Sequence, residues 1–206
     1  MNYIDSSASS VGEIIYEFIN FIDSDLLDDK ISTSLYTAII TDTGSFRYSN
    51  VSSKTFQVAA DLTSYKIKPH LIADNIYNRN TYTGLKLLGK ALLTLEVDSS
   101  NYFSWLTITR KMLNETKAKD EEIEGIIDIT TTLNNIEISI LFRETKENKI
   151  KVSFRSKGNF NVNKFAGKFK GGGHPNAAGC LCSGRLDEIK EKILSELIKE
   201  IKYCKE

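Results

Sequence analysis

The sequence predicts an α/β protein in two unequal parts, a mostly helical first part followed by an α+β module with a small mixed sheet. Three observations carry this. Near residue 100 the hydrophobic period changes from helical spacing to strand-like alternation. The charge changes sign: residues 1–142 carry 12 Lys+Arg against 19 Asp+Glu, and residues 143–206 carry 15 against 8. The segment Lys149–Lys170 has seven basic residues and no acidic one, and it runs straight into three glycines.

The elements follow in order. Ser10-Val11-Gly12-Glu13 has the pattern of a capping box and opens a helix with the apolar stripe Val11, Ile14, Ile15, Phe18 and Ile22. The apolar run Leu35–Ile40 stops at Thr41-Asp42-Thr43-Gly44. Ser52 caps a helix with Phe56, Ala59, Ala60 and Leu62 inward, and Pro69 starts another with Leu71, Ile72 and Ile76. Thr81–Leu95 is helical, with Leu85, Leu88 and Leu92 as its stripe. Phe103–Thr109 reads as a strand and Glu121–Ile129 as a helix. Ile136–Phe142 and Ile150–Phe154 are strands joined at Glu147-Asn148. A short helix, Val162–Phe169, leads to the glycines, and Ala177–Cys182 is a further strand. The final helix, Leu186–Ile201, buries Leu186, Ile189, Ile193, Leu197 and Ile201, with Asp187 and Glu188 in its first turn and Lys199 and Lys202 in its last.

Composition narrows the function classes. With 206 residues, 41% of them hydrophobic and only two prolines, the chain can hide about 70% of its unfolded surface without a disulfide or metal staple. No apolar run reaches the ~18 residues of a membrane span, so no membrane partner is expected. Residues 1–10 lack the basic and apolar regions of a secretory signal. Three cysteines, Cys180, Cys182 and Cys204, do not suggest a disulfide framework. A reduced, cytoplasmic protein is the expectation. The basic second part suggests an anionic partner, against the plainer reading of a solvated face.

Three constellations bear chemistry. The first is Gly171-Gly172-Gly173-His174-Pro175, preceded by Arg155-Ser156-Lys157-Gly158. Glycine N–H groups can turn toward phosphate oxygens, His174 supplies a side-chain donor, and Arg155 a forked guanidinium. The competing reading is a flexible loop with a surface histidine. The second is Asp42-Thr43-Gly44, read either as an Asx turn or as half of an aspartic protease dyad. The protease would need a homodimer and mostly β flanks, and the flanks here are helical. The third is Cys180-x-Cys182 with His174, which falls short of the four ligands of structural zinc, so buried small hydrophobes explain the cysteines better. Of the aromatics interleaved with the basic run, Phe160 is the one candidate for base stacking.

Arg155-Ser156-Lys157-Gly158 together with Gly171-Gly172-Gly173-His174-Pro175-Asn176-Ala177-Ala178-Gly179 closely resembles the signature of a DHHA1 domain. Tyr3–Ser10 resembles the stretch after the Asp-His-His motif of DHH phosphoesterases, and Ile39–Asn50 resembles their later metal-ligand motif. Within that family the chain is similar to the NrnA type, which joins oligoribonuclease (nanoRNase) and pAp phosphatase activities. The resemblance implies a partial DHH domain over 1–84, a linker helix over 85–99 and a DHHA1 substrate-binding domain over 100–206. It implies hydrolysis of short oligoribonucleotides or pAp to mononucleotides at a two-manganese centre, with Asp42 as a metal ligand. Arg155, Gly171, Gly172, Gly173 and His174 would grip substrate phosphate across an interdomain cleft, with Arg47 and Lys157 in lesser roles. The implied partners are short RNA or a phosphorylated nucleotide, and a second copy in a homodimer. The chain departs from the family in having no Asp-His-His triplet and only His70 and His174 as histidines. It is therefore expected to match the C-terminal portion of such an enzyme and to be inactive as it stands. The alternative is a non-catalytic nucleotide- or RNA-binding module.

Overall fold

The computed structural model describes residues 4–203 as two compact units that divide between Arg79 and Asn80. Tyr3 and Cys204 lie outside the described residues.

The first unit is helical: α1 (Val11–Ile22), α2 (Asp29–Asp42), α3 (Ser53–Ser64) and α4 (Pro69–Tyr77). Ser10 caps α1 by accepting from the Glu13 N–H, as expected. The Glu13 carboxylate turns instead to Ser9, accepting from its N–H at 3.0 Å and its hydroxyl at 2.5 Å, and from the Thr55 hydroxyl at 3.3 Å. A buried carboxylate is tolerable only with such donors. The core gathers Leu35, Ile39 and Ile40 of α2, Val58, Ala59 and Leu62 of α3 and Ile72 of α4. The expected stripe of α1 is corrected here. Gly12 and Glu13 are the buried positions, while Val11, Ile15, Phe18 and Ile22 face solvent. On α3, Phe56 is exposed and stacks on Phe46, with ring centroids 5.3 Å apart.

The second unit is built on a six-stranded mixed sheet of order β1-β2-β3-β4-β6-β5. Its elements run α5 (Tyr82–Leu92), β1 (Glu96–Val97), β2 (Phe103–Ile108), α6 (Arg110–Thr116), α7 (Ile126–Thr130), β3 (Ile138–Glu144), β4 (Lys149–Ser156), α8 (Val162–Gly167), β5 (Gly172–His174), β6 (Ala177–Ser183) and α9 (Leu186–Tyr203). Among the described strands only β2 and β3 pair in parallel; α6 and α7 form the crossover that parallel pairing requires. On one face, Ile140, Phe142, Val152, Phe154 and Cys180 pack against Phe165 of α8 and Ile189, Ile193 and Leu197 of α9. On the other, Leu106, Ile108 and Leu141 are covered by Leu87 and Ala91 of α5, Leu113 of α6 and Ile126 and Ile127 of α7.

Several expectations change. Within the stretch read as a linker helix, 85–99, α5 buries Leu87 and Ala91 in this core, and β1 joins the sheet. The buried stripe of α5 is offset from the expected one, leaving Leu85 and Leu92 exposed, because packing on β2 rather than leucine content sets the phase. The expected helix 121–129 is broken by Gly125, whose φ is +80°, into a 3-10 turn at Asp120–Ile123 and the short α7. The glycine run, read as a loop, is partly strand β5.

Candidate phosphate-binding site

Arg155, Lys157 and Gly171–His174 all belong to the second unit. His174 pairs with Ala177, and Ala177 with Arg155, so the three lie in one cross-strand row on one sheet face. Two interstrand steps of about 4.8 Å separate the Arg155 and His174 backbones by about 10 Å. The next row on this face is Ser153, Gly179 and Gly172, and the one beyond is Arg143, Lys151 and Leu181. Helices cover this face over β2 and β3, while over β4, β6 and β5 it carries mostly small or basic side chains.

The glycines have a packing role that the sequence does not display. A Cβ on Gly171 would lie 2.3 Å from the Gly179 carbonyl oxygen, and one on Gly173, at φ +152°, would lie 2.4 Å from that of Ala177. Side chains at either position would push β5 off β6. At Gly172 the space is open, with Asn163 Oδ1 the nearest atom at 3.7 Å. Among the described residues strand β5 pairs with β6 alone, so its outer edge presents unpaired backbone groups at the exposed Gly172–His174 segment.

The loop bearing Lys157 is tied to the loop bearing His174 by Asn176. Its Nδ2 donates to the Ser156 hydroxyl at 3.1 Å and to the Gly158 carbonyl at 3.0 Å, and its carbonyl accepts from Ser156 N–H at 3.0 Å. Sequence reasoning assigned Asn176 no role; the signal was its place within the quoted motif. Asp128 was also missed. It accepts from Arg155 Nε at 2.9 Å, while Nη1 reaches the Phe154 carbonyl at 3.2 Å, which aims the guanidinium and leaves Nη2 for a ligand. Lys157 is committed elsewhere, its Nζ donating to the Leu133 carbonyl at 2.6 Å. Phe160 packs against the core and against Phe165, with centroids 6.0 Å apart, which corrects its reading as a stacking platform. Cys180 lies in that same core, 3.8 Å from Cys182 between sulfurs. Burial, with Cys182 beside it, pushes its thiol up to about 12, so it is a neutral filler rather than a nucleophile.

Asp42 and Arg47 belong to the first unit. Asp42 ends α2 with an exposed carboxylate that accepts no hydrogen bond among the described residues, so it does not make an Asx turn. Thr43 holds this turn instead, its hydroxyl donating to the Ile39 carbonyl at 2.6 Å and accepting from Phe46 N–H at 3.1 Å. Gly44, Ser45 and Phe46 are successively left-handed, with φ of +53°, +60° and +61°. Each non-glycine in that region costs on the order of 1–3 kcal/mol. Arg47 Nε donates to the Gly44 carbonyl at 2.6 Å, which spends part of that side chain on the turn. Asn50 Nδ2 reaches both Ser9 O at 2.8 Å and Asp42 O at 3.2 Å, and so joins the first motif to the second. Among the described residues no group of three or more His, Cys, Asp or Glu could hold a metal ion. A two-manganese centre needs ligands on both ions, and Asp42 does not supply that set. Among the described residues no helix is long and apolar enough to cross a membrane.

Residues 105–202 match the DHHA1 domain family. The chain is 28% identical over 202 residues to the bifunctional oligoribonuclease and PAP phosphatase NrnA of Thermus thermophilus, covering 98% of this chain and 60% of that protein. It is 31% identical over 180 residues to the probable NrnA of Streptococcus mutans, covering 87% and 56%. It thus spans somewhat over half the length of these relatives. The crystal structure of an exopolyphosphatase-related protein from Bacteroides fragilis superposes with a TM-score of 0.89 at 25% identity, covering 99% of this chain and 63% of that one. The open, basic sheet face, the edge strand Gly172–His174 and these matches lead to one conclusion: residues 105–202 are a DHHA1 domain, and the chain is similar over most of its length to DHH/DHHA1 proteins of the NrnA type.

Proposed function

We propose that this chain is the substrate-gripping portion of a phosphoesterase that hydrolyses short oligoribonucleotides or pAp to mononucleotides with manganese, and that these 206 residues alone bind such ligands without hydrolysing them. The observation that supports the grip is the row Arg155–Ala177–His174, beside the unpaired edge of β5. Arg155 Nη2, the His174 ring and the backbone N–H groups of the edge strand are donors suited to one phosphate. Asp42 would be one manganese ligand of a complete centre. The donors described on this chain do not complete that centre, and this favours binding without turnover.

The test is titration of the 206-residue chain with a 5′-phosphorylated dinucleotide. His174→Ala removes one donor to a charged acceptor and should weaken binding by about 1.5–3 kcal/mol. Equal binding by variant and wild type would make β5 a purely structural strand. Manganese-dependent turnover of the dinucleotide, abolished by EDTA, would overturn the non-hydrolysing part of the proposal.

A further inference from the structure

Beyond Arg155, the same sheet face carries a second basic centre. Arg143 of β3 and Lys151 of β4 are direct cross-strand partners on the face that Arg155 and Ser153 share. Like charges placed directly opposite destabilise a sheet, and among the described residues neither side chain makes an ion pair or hydrogen bond. Arg143 Nε is buried without a partner. Close by, Asp120 is already committed to Arg110 at 2.7 Å and Lys146 at 2.8 Å. The two cations border a cleft of about 370 Å³ whose floor is Leu141, Arg143, Lys151, Ser153 and Arg155. Its opposite wall is the segment Asp120–Ile127, with Glu121 and Glu124 exposed at the rim.

We propose that Arg143 and Lys151 form a second phosphate subsite, which takes a distal phosphate of an oligoribonucleotide whose terminal phosphate lies at Arg155 and His174. The inference rests on the reading of Arg155 and His174 as a phosphate grip and extends it to substrate length. Lys151 and Arg155 are four residues apart on one strand, about 14 Å at 3.4 Å per residue. That span exceeds a single phosphate-to-phosphate step, so a nucleoside bisphosphate held at Arg155 does not reach Lys151, whereas a chain of several nucleotides does. The row between the two centres is Leu141, Ser153, Gly179 and Gly172, and the small Ser153 and Gly179 leave the floor low enough for a backbone to lie along it. The acidic rim repels phosphates toward the strands and offers acceptors to base amino groups. The opposed cations are thus a standing cost in the free protein that a bound phosphate relieves.

The experiment compares pAp with a 5′-phosphorylated tetraribonucleotide on the full 206-residue chain, as a function of salt. Lys151→Gln should weaken the tetranucleotide by about two- to fivefold and lower its salt slope by about 0.7, while leaving pAp unchanged. Lys151→Arg should restore both. In the free protein Lys151→Gln should raise the melting temperature, because it removes a like-charge opposition; this reading is independent of any ligand and shows that the variant folds. If Lys151→Gln binds the tetranucleotide with wild-type affinity and slope while Arg155→Gln weakens both ligands, the second subsite is wrong and the grip stands. If Arg155→Gln and His174→Ala change neither ligand, the grip itself is wrong. Binding of polyglutamate with the same dependence on Lys151 would reduce the centre to a general anion surface and overturn the proposal.

Discussion

Helices α1 and α9 carry the same kind of apolar repeat, and the structure treats them in opposite ways. In α9, Ile193 and Leu197 are wholly buried against the sheet, and the stripe read from the sequence is the stripe that packs. In α1 the repeat is as regular, yet Phe18 is 61% exposed and Phe21 88%. Its buried positions are Gly12 and Glu13, with Glu13 serving as an acceptor for Ser9 and Thr55. A helical period tells which side of a helix is apolar. It does not tell whether anything covers that side, because the cover is supplied by a different stretch of chain.

The comparison breaks most visibly in the core. Leu197→Ala should cost about 2–5 kcal/mol, through lost burial and the cavity left behind. Ile15→Ala on the exposed stripe of α1 should stay within about 0.5 kcal/mol. Denaturant unfolding of both variants measures the difference, and equal losses would mean that α1 is covered in solution.

A smaller effect sharpens the α9 side. The turn beside α9 is held by Asp98, whose carboxylate accepts from the N–H groups of Ser100, Tyr102 and Phe103 at 2.7–2.8 Å. Burial tends to raise its pKa, but these donors outweigh burial and hold it below the usual value. A lowered folded-state pKa stabilises above the unfolded value of about 3.9, and that stability fades as pH falls through the folded value. Asp98→Asn should therefore cost about 1.5 kcal/mol near neutrality. The gap between wild type and variant should close below about pH 4. A gap independent of pH would show that the turn does not depend on the charge.

The smallest effect on stability belongs to Phe18→Ser, within about 0.5 kcal/mol. Its consequence is in association, since contiguous exposed apolar surface promotes it. Sedimentation velocity at rising concentration should show less self-association in the variant, and unchanged behaviour would remove this stripe from any account of a homodimer.

Much of the molecule was legible in order. The caps at Ser10 and Ser52, the Pro69 start, the strands around Ile140, Val152 and Cys180 and the whole of α9 follow from local patterns that need no distant partner. The Arg-Ser-Lys-Gly and Gly-Gly-Gly-His motifs marked the candidate site because their residue types are rare in combination. What the sequence by itself determined is the alternation of elements and the chemistry of each segment, since propensity, capping and period act over a few residues. Register was decided only by tertiary structure. Pairing β6 between β4 and β5 set His174 in the row of Arg155, made Gly171 and Gly173 obligatory under neighbouring carbonyls and placed Arg143 opposite Lys151. A shift of one residue would turn each of these side chains to the other face, so no reading of segments one at a time could have located them.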